Sequence, residues 1–489
     1  MINLNLNQTL SWTKSRSGKD AAAASELAML NDLQGNIVKG HGRHYTSNLF
    51  VNFAPAKATQ GKHFLASVGV QLTDALHQLI AAQTFKNGGK GAGTFYALFL
   101  SSTGYDALGE QAAKPPGKAF ADGMKARPDL KDPPSTAWDA HFSGDVHAMI
   151  LIAAETLAAR DQARDAMVAR IAATGGAVVL LNPDFAEDGN AIFNDDGNGI
   201  EHFGYVDGRS QPLALQEDVH EESTQNGGIS EWDPAIPLSQ LLVPCPGGKL
   251  AVSHGSYFVF RKLDQRVRAF KEFEKTLAAS IETREHLRAD EIGERMGASV
   301  VGRFENGTPV TMFGAEQSPI PKGPVGVINN FNYSADTAGL KCPFAGHIRK
   351  SNPRGDVLGS KNRLMARRGI PYGQRTDDPN GDTTNDKPEG NVGLLFMAYQ
   401  SSLEAQFEFT QASWVNNVGF ARPLVQSGTQ TGIDPLIGQP AAPSGQRWPL
   451  IYGISETTGA NSDDFSGFVT MRGGEYFFAP SISYVKSLS

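Results

Sequence analysis

The chain has 489 residues, 40% hydrophobic and 19% charged, with a formal net charge of −7. That make-up belongs to an ordinary globular protein long enough for two or three domains, and it excludes a disordered or fibrous one. The acidic balance argues against a nucleic-acid binder, and two cysteines, Cys245 and Cys342, are too few for a disulfide framework or a cysteine-rich zinc site.

Taken in chain order, the amino terminus "MINLNLNQTLSWTKSRSGKD" lacks the charged start and apolar core of a secretory signal. No run of 18 apolar residues follows, so no membrane span is expected and the default compartment is the cytoplasm. Four later stretches share one format, an apolar strand-like run, a polar or charged stop and a helix-like run: residues 94–109, 145–174, 256–277 and 392–414. The clearest is "DVHAMILIAAETLAARDQARDAMVARIAAT" (145–174), in which Thr156 marks the helix start. Two such units in each half suit an α+β fold of antiparallel sheets with helices packed on them, the split βαβ arrangement. A doubly wound sheet also fits the alternation.

The expected division is an N-terminal extension (1–29), a first domain (30–215), a connecting segment (216–243) and a second domain (244–489). The connector is polar and acidic, and "GQRTDDPNGDTTNDKPEG" (373–390) reads as a long exposed loop. "GGKGAGT" (88–94) fails the phosphate-loop spacing. "NDDGNG" fails the calcium loop, because Val206 stands where a bidentate Glu is required. No G-x-S-x-G or H-E-x-x-H occurs.

Three stretches carry unusual chemistry. His347 in "KCPFAGHIRKSNPR" has no second histidine or acid at chelate spacing, and by itself reads as a core histidine or a lone ligand. Asp207 in "EHFGYVDGRSQP" reads as a turn aspartate. In "RLMARRGIPYG" the adjacent Arg367 and Arg368 run into an apolar turn. Together they make a different pattern. A haem needs one protein ligand, commonly a neutral imidazole. Peroxide activation on its other face needs a proton acceptor and a fixed positive charge, roles a carboxylate and a guanidinium can fill.

These motifs, with "DLQGNIVKGHGR" (32–43), "GLLFMAYQSSLEAQFEFTQASW" (393–414) and "GGEYFFAPSISYVKSL" (473–488), resemble the dye-decolourising peroxidases, in particular their larger-chain members. The resemblance runs from about residue 30 to the end. It implies two ferredoxin-like halves with one haem b, mainly in the C-terminal half. It also implies His347 as proximal ligand, Asp207 as acid–base carboxylate and Arg367, rather than Arg368, as distal arginine. Arg349, Leu394, Phe396 and Phe407 would line or hold the cofactor, and Asp434 in "TGIDPLIGQ" would take the other nitrogen of His347. Hydrogen peroxide and an aromatic or dye-like reductant are the implied partners, and a homo-oligomer is left open. Large donors would give up electrons at a haem edge or at a surface residue such as Trp414, Tyr399, Tyr257 or Tyr333. A carboxylate acid–base group favours activity at acidic pH. A haem carrier or sensor is the alternative, but it would need neither the acid nor the arginine.

Overall fold

The computed structural model describes residues 4–91, 93–225, 227–280, 289–318, 329–379, 381, 383–420, 430–439, 445–449, 451–454, 458–459 and 465–489. In the first half, β1 (Tyr45–Phe53), α1 (Ala58–Gly69), β2 (Phe95–Leu100), β3 (Ala148–Ala154), α2 (Leu157–Ala172) and β4 (Val178–Leu180) follow in turn. Their strands pair antiparallel in the order β4–β1–β3–β2. The second half repeats this plan. Here β6 (His254–Gln265), α3 (Val267–Ser280), β7 (Ile370–Tyr372), β8 (Gly393–Gln400), a helical segment from Leu403 to Val415 and β9 (Val469–Ala479) give the order β9–β6–β8–β7. Each half is thus ferredoxin-like.

Sequence chemistry accounts for the strand–helix joints. Thr156 caps α2, its side chain accepting from the Ala159 N–H, and Ser402 does the same for Ala405 at the start of the 403–415 segment. All four strand–helix units expected from the sequence are present. Four strands outside that pattern, β1, β4, β7 and β9, complete the halves.

The halves close on each other. Phe478 of β9 pairs with Leu100 of β2, and β5 (Asp188–Asn190), which continues along β1, meets β7 at Gly189 and Tyr372. With the β6–β8 pairing the sheet becomes a closed ring, so the strands within it keep no free edge. Phenylalanine rings fill the inside: Phe50 of β1 lies 4.9 Å from Phe260 of β6, and Phe99 of β2 lies 4.1 Å from Phe258. None of these strand pairs are neighbours in the ring, so the rings meet across its interior. With side chains inside and helices outside, β3 is buried at every position, which is why it reads as an unbroken apolar run.

Charges stitch the seam. The Lys262 ammonium lies 2.8 Å from Asp139 and 2.9 Å from Glu187, joining the second half to the first. Between α3 and β7 stand α4 (Ala289–Val301) and α5 (His347–Ser351). The connecting segment is not only a surface link: it forms a helix over Gln216–Gln225, where Glu217 accepts from Ser11 and Thr13 of the N-terminal extension. The 373–390 stretch has no helix or strand among its described residues. It is less exposed than expected, however, because Arg375, Asp377 and Lys387 form a buried ion-pair cluster.

Candidate active site

His347 opens α5. Gly346 before it packs so closely on α4 that a Cβ there would lie 2.9 Å from the Ser299 carbonyl oxygen, a fit only glycine allows. The imidazole Nδ1 lies 2.8 Å from Oδ2 of Asp434, a wholly buried carboxylate whose Oδ1 accepts from the N–H groups of Leu436 and Ile437. A carboxylate only accepts, so the shared hydrogen is on Nδ1, which in the neutral ring leaves the lone pair on Nε2. Nε2 has no hydrogen-bond partner among the described residues, and 27% of the side chain stays accessible. Burial favours the neutral ring, but the Asp434 charge and hydrogen bond outweigh it and raise the His347 pKa above its ordinary value. Arg367 and Asp207 act on the same imidazole, one lowering and the other raising it. Arg367 and Asp207, 160 positions apart in sequence, therefore lie within electrostatic reach of one imidazole.

Asp207 sits in a tight turn that Gly208 makes possible with φ +79°. The carboxylate is exposed, and its Oδ1 accepts from the Gly208 N–H at 2.6 Å. Arg367 arrives opposite Ala398 of β8. Its N–H donates to Gln211 Oε1 and its guanidinium to the Arg209 carbonyl, 3.1 and 2.8 Å away. Arg367 and the turn bearing Asp207 are thus directly bonded. Arg368 points elsewhere: its guanidinium donates to the carbonyls of Asn36, Ile37 and Arg367, tying down the "DLQGNIVKGHGR" stretch.

Strand period places Leu394 and Phe396 on the Arg367 face of β8. Both are half-buried, while Leu395 and Met397 between and beside them are wholly buried. Phe407 is buried, its ring centroid 6.1 Å from that of Phe396. Arg349 does something different from lining a site. All five of its N–H donors are used, on Asp336, Asp356 and the carbonyls of Cys342 and Asp336, and its guanidinium lies over Tyr333 and Phe344. With no donor left for a further partner, it acts by anchoring α5. Trp414, Tyr399, Tyr257 and Tyr333 are all buried, so none of them is a surface residue.

One residue at the site lacked a sequence signal. Arg303, two residues beyond α4, donates to Ser210 and Asn329, and so does Arg354 from the end of the His347 motif. Burial first, then the neighbouring Arg354, Arg209 and Arg367 charges, push the Arg303 guanidinium down to about 9. This concentration of buried positive charge behind Asp207 suits the carboxylates of a porphyrin, and the open Nε2 of His347 suits its iron. The residues present fit a haem. Among the described residues no group of three or more His, Cys, Asp or Glu could hold a metal ion. A cleft of about 920 Å³ lies apart from this site, at the β5–β7 seam, with Arg164, Asp264 and Tyr372 in its walls.

A model of the family described as "Dyp-type peroxidase, C-terminal" matches residues 232–427. The multifunctional dye peroxidase DyP2 of an Amycolatopsis species is 42% identical, covering 99% of this chain and all of the relative. The chain belongs to the dye-decolourising peroxidases. A dye-decolourising peroxidase of Mycetinis scorodonius is 31% identical over 96% of this chain and 90% of its own. The solved structure of the Amycolatopsis DyP2 superposes with a TM-score of 0.88 at 40% identity, covering 99% of this chain and 100% of that one. An Anabaena DyP-type peroxidase gives 0.85 at 36% identity, covering 100% and 98%. No helix among the described residues of this peroxidase is long and apolar enough to cross a membrane.

Proposed function

We propose that the protein is a haem-dependent peroxidase that reduces hydrogen peroxide and oxidises dyes and other aromatic donors one electron at a time. It holds one haem b per chain through His347 Nε2. The observation that carries this reading is the His347 imidazole itself: Nδ1 spent on Asp434, Nε2 open, and both Asp207 and Arg367 within electrostatic reach.

When bound, the haem supplies a redox-active iron that takes two electrons' worth of oxidising power from peroxide and passes it to donors. The chain supplies the rest. Asp434 holds the His347 ring in one tautomer and gives it anionic character, which makes it a more basic ligand. Asp207 accepts a proton from the first peroxide oxygen and returns it to the second, which leaves as water. The turn at Gly208 fixes Oδ1, leaving Oδ2 without a partner among the described residues. Arg367, braced on the Arg209 carbonyl, presents its remaining N–H groups to the negative charge that develops on the departing oxygen. Leu394 and Phe396 give the pocket an apolar wall that excludes water. Over a cycle, one peroxide and two protons take two electrons from two donor molecules and yield two waters. Both cysteines are buried and free, which suits a reducing cytoplasm, and self-association is open to a direct mass measurement.

One absorbance experiment tests the reading. The purified, haem-supplied protein should show a Soret band that shifts within one equivalent of hydrogen peroxide. A band that does not respond describes a haem carrier or sensor. No band at all describes a haem-free protein, and either result overturns the proposal.

A further inference from the structure

Lys350 follows His347 by three residues on α5 and is wholly buried. Its ammonium donates to the Asn417 carbonyl at 2.8 Å and to Thr431 Oγ1 at 3.3 Å, with the Phe420 ring centroid 5.6 Å away. All three partners are neutral. Burying an ammonium without a paired carboxylate is unfavourable, and a methionine would fill the same volume without that penalty. The charge is therefore the property to explain.

Its surroundings supply the explanation. Asn417 follows the helical segment that ends at Val415, and Thr431 begins the turn that reaches Asp434 three residues later. Thr431 Oγ1 is also bonded to the carbonyls of Val418 and Phe420, and the Asp434 N–H donates to Val415. The ammonium thus clamps both pieces onto the helix that carries His347. Burial pushes the ammonium down to about 7, and Asp434 is the charge that opposes this. The two buried groups therefore lie within electrostatic reach of each other.

We propose that Lys350 is a positioning residue for the His347–Asp434 pair: it fixes the turn carrying Asp434, and its positive charge limits how much of the carboxylate's charge reaches the imidazole. This rests on His347 being the haem ligand. With the ammonium present, its field offsets part of the Asp434 charge felt by the imidazole, although the two groups make no direct bond. With it gone, the carboxylate acts on Nδ1–H alone, the ring becomes more electron-rich, and the ferric state of a bound iron is favoured over the ferrous.

The test is a spectroelectrochemical titration of haem-loaded wild type, Lys350→Met and Lys350→Gln, each first checked for its Soret band. A wild type that takes up no haem overturns the haem reading before Lys350 is addressed. Given haem, both variants should have a ferric–ferrous midpoint shifted to more negative potential. If Lys350→Met does not fold, Lys350→Gln carries the test, because its amide can still donate toward Asn417 while lacking charge. In an Asp434→Asn background the same Lys350 substitution should shift nothing, since the charge it modulates is gone. An unchanged midpoint in the single variants, or a shift that persists undiminished beside Asp434→Asn, overturns the proposal.

Discussion

The Nδ1–H of His347 donates to Oδ2 of Asp434 across 2.8 Å and 87 positions of sequence. Replacing Asp434 with Asn keeps a side-chain acceptor of similar shape and removes the charge. The imidazole then becomes a weaker donor to iron, so the ferric–ferrous midpoint should move to more positive potential while the Soret band is kept. Losing the hydrogen-bond partner of a metal-binding histidine costs roughly 10–100-fold in activity or metal affinity. A redox titration beside a haem-binding titration checks both. A midpoint equal to wild type would remove Asp434 from the ligand's electronic control.

Asp207→Asn separates proton transfer from binding. Asparagine fits the Gly208 turn and can still accept its N–H, so the loop and the haem should be undisturbed. What it cannot do is take a proton, and general acid–base groups contribute roughly 10²–10⁴-fold. Stopped-flow measurement of the haem's spectral change against peroxide concentration should show a fall of that size in the second-order rate. Normal rates would show that another group moves the proton.

The fold was legible in the sequence where strand and helix alternate with a capping residue between them, as at Thr156. The closure of the two halves was not, since Tyr372 with Gly189 and Phe478 with Leu100 are single-residue seams with no local signature. At the site, His347, Asp207, Arg367 and Asp434 stand in motifs that the resemblance could align. Arg303 stands in none of them, and Lys350, though in the His347 motif, carries nothing there that marks its role. Their roles follow from burial and from which carbonyl or hydroxyl lies opposite, quantities that spacing does not encode. Arg349 illustrates the reverse case: its place beside His347 in the motif suggested cofactor binding, yet all its donors serve Asp336, Asp356 and two carbonyls.

Adjacent arginines give an internal control. Arg367→Leu removes the cation proposed to meet developing charge, and loss of one such donor costs roughly 10²–10³ in rate. Stability should change little, because the backbone N–H keeps its bond to Gln211 and only the guanidinium bond to the Arg209 carbonyl is lost, at a half-buried position. Arg368→Leu should do the opposite. It leaves the carbonyls of Asn36 and Ile37 without their donor, a penalty of about 1–3 kcal/mol, and should leave the peroxide rate of the folded enzyme near wild type. Peroxide kinetics and denaturant melts on the two variants should show these effects crossing over. A rate loss confined to Arg368→Leu would reverse the assignment.

Glu187 links acid stability to the seam between the halves. It is wholly buried, accepts from Lys262 and Asn182, and lies 2.9 Å from His141 Nε2. Burial works to raise its pKa, but the His141 hydrogen bond and the Lys262 charge overcome this and hold it below the ordinary glutamate value. A carboxyl lowered on folding stabilises the native state above its unfolded pKa of about 4.3, and that stabilisation is lost as pH falls through the folded value. Glu187→Gln should therefore destabilise the protein at pH 7 by about 3–5 kcal/mol, since Lys262 keeps only Asp139 as a counter-charge. The gap between variant and wild type should narrow steadily below the ordinary glutamate range. Urea unfolding of both proteins across that interval measures it, and a gap independent of pH would mean that the stitch at the seam owes nothing to the Glu187 charge.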